Sequence, residues 1–173
     1  MSFRVGDKVV HRFFGPGEIV GLDEKILMGE SKLYYVFEAE NMSIWVPVND
    51  GNGSLRETTS ARAFGKVRRI LRSPGEILND DRYQRQSQLT ERMREGTVES
   101  LCMVVRDLNT RAGLKKLNEN DSSVLRRATE LLENEWQLSQ GKAAEDVHHE
   151  VELLLIESRQ AALQMYKVGM VSG

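Results

Sequence analysis

The sequence predicts an α+β protein in which a small antiparallel sheet comes first and an all-helical domain of about five helices follows. Three observations carry this expectation. Between Phe3 and Val48, short apolar runs (Val9-Val10, Ile19-Val20, Leu33 to Phe37, Ile44 to Val48) alternate with breaks at Gly6, Gly15-Pro16-Gly17, Gly29 and around Asn41. That spacing suits a meander and is too tight for helices. From Ser60 onward the apolar residues recur at helical spacing instead, and the loop-forming stretch Asn49 to Gly53 falls between the two patterns. With a last short strand at Leu55-Arg56, the sheet domain is expected to cover residues 1–59 and the helical domain residues 60–173.

In the sheet, Gly15-Pro16-Gly17 is expected to turn the chain, because glycine accepts positive φ and proline presets φ. Gly29-Glu30 lies at hairpin distance between two runs. Alternation in the fourth strand puts Ile44, Val46 and Val48 on one face and Trp45 on the other, an exposed aromatic candidate.

The first helix is capped by Ser60 and carries Ala63, Phe64, Val67, Ile70 and Leu71 on its apolar face; Ser73-Pro74-Gly75 ends it, because proline steers its predecessor out of helical geometry. A second helix, from about Asp81 to Glu95, has only Leu89 and Met93 as large aliphatic residues. Either it leans on its neighbours by one narrow stripe or its first turns face a partner. After Gly96, Thr97 starts a strongly amphipathic helix with Val98, Leu101, Cys102, Val105, Leu108 and Ala112 on one side. Cys102 falls inside that stripe and reads as a small buried hydrophobe. Asn118 caps a fourth helix whose apolar face is Val124, Leu125, Ala128, Leu131, Leu132 and Trp136, and a fifth runs from about Ala143 to Lys167. Trp136 reads as a core anchor.

With 173 residues, 40% hydrophobic and 29% charged, the chain has a globular composition, and a single cysteine excludes an internal disulfide framework. It shows neither a secretory leader nor an apolar run of membrane-spanning length, so a cytoplasmic location is expected. The net charge of −2 hides an uneven distribution: residues 1–59 sum to −3, residues 60–116 to +6 and residues 117–173 to −5. A basic centre between acidic flanks suits a localised phosphate-facing patch, and it equally suits an ordinary solvated helix face.

His148, His149 and Glu152 raise a metal reading, since His148 and Glu152 are four apart. Adjacent histidines diverge by about 100° around a helix, however, and no further Cys or His cluster completes a site. Phosphate-binding glycine loops and nucleophile elbows are missing as well, so neither an enzyme, a cofactor nor a small-molecule substrate is expected.

The opening F-R-V-G-D-K-V-V-H, the G-P-G-E-I stretch, the Y-Y-V strand and the I-W-V-P-V strand together resemble the RNA polymerase interaction domain of CarD-type bacterial transcription regulators. That is a Tudor-like or SH3-like fold shared with transcription-repair coupling factors. Further on, R-x-I-L-R-S-P, R-M-R-E-G-T-V-E-S-L-C-M-V-V-R-D-L and A-T-E-L-L-E-N-E are similar to the helical second domain of free-standing CarD proteins, so the resemblance covers nearly the whole chain.

The resemblance implies that the first domain binds the β subunit of bacterial RNA polymerase by strand-to-strand contact, with Lys25, Leu27 and Trp45 at the family's contact positions. Trp45 stands where relatives often carry a basic residue. For the helical domain it implies contact with promoter DNA, minor groove and phosphates, where a tryptophan wedge stabilises the open complex. The wedge position falls on Arg82, followed by Tyr83, and neither is tryptophan. Tyr83 as a replacement aromatic, Arg82 as an electrostatic groove contact, and loss of the wedge are all open. Arg82, Tyr83 and Arg85 are the expected DNA contacts, with Arg111, Lys115 and Lys116 behind them. The implied protein is a cytoplasmic transcription regulator, brought to the nucleoid through polymerase. A protein-only adaptor on polymerase, without DNA contact, is the alternative.

Overall fold

The computed structural model describes residues 2–171 and consists of two compact units, Met1–Thr58 and Thr59–Gly173. The first is a five-stranded antiparallel sheet: β1 (Lys8–His11), β2 (Gly15–Leu27), β3 (Glu30–Ala39), β4 (Met42–Pro47) and β5 (Leu55–Glu57), in the order β4-β3-β2-β1-β5. Alternation sends Val9, Ile19, Tyr35, Phe37 and Val46 to one buried face, against which Phe3, Ile44, Val48 and Leu55 pack. An extra residue in β2 between Ile19 and Gly21 bulges the β2–β3 pairing and bends the sheet.

The first expected turn is displaced by three residues and the second by one. Arg12-Phe13-Phe14 reverses the chain, while Gly15-Pro16-Gly17 lies inside β2, paired with His11, Val10 and Val9. Gly15 takes φ +80°, and Gly17 is required by close approach: a Cβ there would stand 2.3 Å from the Glu38 carbonyl oxygen and 2.5 Å from the Phe37 ring. The second hairpin turns at Met28 (φ +54°) and Gly29 (φ +82°), with Glu30 already in β3. Positive φ at both central residues is the requirement of a two-residue hairpin turn matched to strand twist.

The second unit opens with a 3-10 turn (Ala61–Ala63) and continues through α1 (Phe64–Arg72), α2 (Arg82–Glu95), α3 (Val98–Leu114), α4 (Glu119–Gln140) and α5 (Ala144–Val171). Glu135, fully buried, accepts from the Thr59 amide at 2.9 Å and the Thr59 hydroxyl at 2.6 Å, which fixes the start of this unit. Thr97 and Asn118 cap α3 and α4 as their sequence positions suggest. The core gathers Phe64, Val67 and Leu71 of α1, Leu101, Val105 and Leu108 of α3, and Leu131, Leu132 and Trp136 of α4. Trp136 packs its ring 5.0 Å from that of Phe64. Of the residues assigned to the apolar side of α3, Ala112 is exposed. α2 leans on the core by the narrow stripe of Leu89 and half-buried Met93, and by the charged residues Arg85 and Arg92.

Candidate functional site

On the sheet, Asp23, Lys25 and Leu27 occupy every second position of β2 and so share a face, the one turned away from Ile19, Tyr35 and Phe37. Trp45 pairs with Val36 on that face. The register brings the Lys25 ammonium 3.8 Å from the centroid of the Trp45 ring, and the indole Nε1 donates to Asp23 Oδ2 at 2.9 Å. The ring is thereby held from both sides while 46% of the residue stays exposed. An exposed cation–π contact contributes about 0.5–1 kcal/mol, enough to bias the rotamer before any partner arrives. β4 pairs with β3 alone, so the strand that carries Trp45 is an open edge of the sheet. Leu27, half exposed, extends the surface toward the hairpin tip. The sequence reading passed over Asp23, although its i−2 relation to Lys25 places it on the same face.

The helical unit sorts its cations sharply. Arg85 lies in the first turn of α2 yet is buried: Nε donates to Asp121 Oδ2 at 2.8 Å and one terminal nitrogen to the Asn79 and Asp80 carbonyls at 2.8 and 3.0 Å. The expectation that Arg85 reaches DNA meets this burial: only 4% of the residue is exposed, and two of its three guanidinium nitrogens donate inside the protein. Arg111, its side chain 13% exposed, bonds the exposed Asp80 at 3.2 Å and stands 4.0 Å from buried Asp121. Lys115 meets Asp80 at 2.6 Å from an exposed position. Lys115 first, then Arg111, hold the Asp80 carboxyl below the ordinary aspartate range.

These contacts belong to a wider brace on residues 73–81. Asp107, with no exposure, accepts from the Glu76 amide at 2.9 Å, from Arg92 at 2.6 Å and from Arg106 at 2.8 Å. Ser158 donates to the Ser73 carbonyl at 2.7 Å and Tyr166 to the Gly75 carbonyl at 2.9 Å. The braced loop delivers Asp81, whose carboxylate caps α2 by accepting from the Gln84 amide at 2.9 Å. Immediately beyond the cap stand Arg82 and Tyr83, both exposed, Tyr83 by 78%. An aromatic and a cation are thus held out on a rigid helix start. Lys116 is exposed and, among the described residues, makes no ion pair. No local signal could have revealed that Arg85 turns inward, since Asp121 is 36 positions away.

The remaining candidates resolve into structure. His148 sets Nδ1 2.8 Å from Glu133 on α4 and Nε2 3.3 Å from Glu152 on α5; the Glu133 contact, helped by Glu152, raises its pKa above the usual histidine value. Among the described residues no group of three or more His, Cys, Asp or Glu is arranged to hold a metal ion. Cys102 is fully buried, and burial pushes its thiol pKa far up. No described helix is long and apolar enough to cross a membrane.

Comparison with known proteins follows the same division of the chain. Residues 3–58 match the family model described as CarD-like/TRCF RID domain, and residues 66–152 match that of the CarD C-terminal domain. The chain is also similar to "Putative transcription factor YdeB" of Bacillus subtilis (strain 168), 29% identical over 146 residues that cover 80% of this chain and 93% of that protein.

Proposed function

Because this chain belongs to the CarD-like family of transcription factors and carries that family's RNA polymerase-interaction domain, we propose that it docks on the β subunit of polymerase and contacts promoter DNA. The docking surface is the outer sheet face of Lys25, Leu27 and Trp45 beside the open edge of β4. The observation that carries this is the Lys25–Trp45 stack, an ordered aromatic and cation exposed next to unpaired backbone donors and acceptors. An edge strand supplies main-chain hydrogen bonds, and alternate side chains supply specificity. A prearranged tryptophan at the centre of such a surface is a typical binding hot spot.

The helical domain then meets DNA through Arg82 and Tyr83, with Lys115 and Lys116 as phosphate contacts. Tyr83 replaces the family's wedge as the aromatic, and Arg82 approaches the groove beside it. Propping a partly unstacked step at the edge of the melted region alters the stability of the open complex. The protein acts in the cytoplasm, at the nucleoid, without a catalytic step of its own.

Titration of the full chain against the isolated β lobe of its own polymerase tests the first contact, with Lys25→Glu and Trp45→Ala alongside. Loss of a hot-spot tryptophan costs about 2 kcal/mol or more, about thirtyfold in Kd. Wild-type protein that leaves the lobe unbound refutes the docking surface. A protein-only adaptor is the second reading, favoured by the internal pairing of Arg85, Arg92, Arg106 and Arg111. Salt-dependent DNA binding that falls in an Arg82→Gln/Tyr83→Ala variant excludes it.

A further inference from the structure

Seven of the thirteen Lys and Arg between residues 60 and 116 lie within ion-pair distance of carboxylates of the helical unit: Lys66, Arg68, Arg85, Arg92, Arg106, Arg111 and Lys115. Six make no ion pair among the described residues, and three of these six, Arg62, Arg69 and Arg72, lie on or next to α1. Residues 58–75 contain five cations and no Asp or Glu.

α1 buries Phe64, Val67 and Leu71. At about 100° per residue, Arg62, Lys66, Arg69 and Arg72 fall on the opposite side of the helix, and all four are exposed. Gly65 sits within that stripe, and an added Cβ there would meet nothing within 4 Å. Arg68 lies to the flank and turns inward, its guanidinium bonded to Glu150 and stacked 5.0 Å from the Trp136 ring. Among the described residues one carboxylate touches the stripe, Glu99 at 3.2 Å from Lys66, and that pair is solvent-exposed and weak.

We propose that this outer face of α1 is a second phosphate-binding surface for duplex DNA, separate from the Arg82–Tyr83 contact; it rests on the reading that the helical domain meets promoter DNA. The choice of partner follows from the chemistry of the stripe. It carries charge and no large apolar side chain, whereas the buried centre of a protein interface is depleted of charge and enriched in aromatic residues. Phosphate binding needs only clustered cations, because its driving force is counterion release. The contact therefore holds the duplex without reading its sequence.

Anisotropy titrations of the full chain with labelled duplexes across a salt series test this, comparing wild type, Arg62→Gln/Arg69→Gln/Arg72→Gln and Arg82→Gln/Tyr83→Ala. The triple variant is expected to keep its melting temperature, to bind at least about tenfold more weakly near 0.1 M salt, and to lower the slope of log K against log salt by about two to three. The loss is expected to be equal on duplexes of unrelated sequence. Unchanged affinity and slope in the triple variant, with weakened binding by the Arg82–Tyr83 variant, overturns the stripe and leaves the promoter reading standing. A triple variant that keeps DNA affinity but loses polymerase identifies an acidic protein partner and also overturns it. Wild-type protein that binds no duplex at any salt overturns both readings.

Discussion

Replacing Arg85 by methionine removes the charge that closes α2 onto the start of α4. Arg85 and Asp121 expose only 5% and 2% of their side chains, and the Nε to Oδ2 distance is 2.8 Å. Without Arg85, Asp121 keeps a distant Arg111 at 4.0 Å, and the Asn79 and Asp80 carbonyls lose a donor. Breaking one side of a buried pair costs about 3–5 kcal/mol, mostly because the surviving charge stays desolvated. Taking the lower end and a urea slope of about 1.5 kcal/mol per molar, the unfolding midpoint of the helical unit should fall by about 2 M. Fluorescence of buried Trp136, read in a Trp45→Phe background, follows that transition. On the proposed reading DNA affinity should fall as well, although Arg85 is buried, because Arg82 and Tyr83 lose their anchored helix start. Arg85→Met/Asp121→Leu removes both charges and should recover most of the stability. A single variant that loses less than about 1 kcal/mol would refute the argument that this pair organises the surface.

The two units should respond to pH with opposite sign. Burial first, then Arg12, lowers the His11 pKa, and the Phe13 amide donates to His11 Nδ1 at 3.2 Å, so the neutral ring is the folded form. Its contribution is complete above 6.5 and is lost as pH falls through its lowered value. His148, raised by Glu133 and Glu152, contributes fully below 6.5 and loses its contribution as pH rises through its raised value. Urea unfolding between about pH 5.5 and 7.5, read from Trp45 in Trp136→Phe and from Trp136 in Trp45→Phe, should show the sheet weakening toward acid and the helices toward base. His148→Gln should flatten the second trend; a trend that persists would exclude His148 as its source. Gly17→Ala drives a methyl into the Phe37 ring and the Glu38 carbonyl and should cost the sheet about 1–3 kcal/mol, visible as lost polymerase binding on warming. A wild-type melting curve would contradict that crowding. Cys102 should react with a thiol reagent only as fast as the helical unit opens, and rapid labelling of native protein would contradict its burial.

Local periodicity made the layout legible. Alternation located the strands and turned Trp45 outward, the 3.6-residue repeat found α3, α4 and the buried places of Cys102 and Trp136, and side-chain chemistry found the caps at Ser60, Thr97 and Asn118. Each depends on neighbours within a few positions, so the chain displays it without folding. The turn at Arg12-Phe13-Phe14 was less legible, because Gly17 serves a contact with Phe37 and Glu38, twenty residues along, and not the turn beside it. The candidate surfaces divide in the same way. Lys25, Leu27 and Trp45 share a face because strands alternate, whereas Arg82 and Arg85, three apart on one helix, have opposite fates. Counting charge along the chain treats every arginine in the basic middle third as equal. Only tertiary packing decided that Arg85 and Arg92 meet Asp121 and Asp107 inside the helical unit while Arg62, Arg69, Arg72 and Arg82 stay exposed. The physical reason is that a charge is available according to its distance from a counter-charge and from water, and both distances are set by which helices pack together.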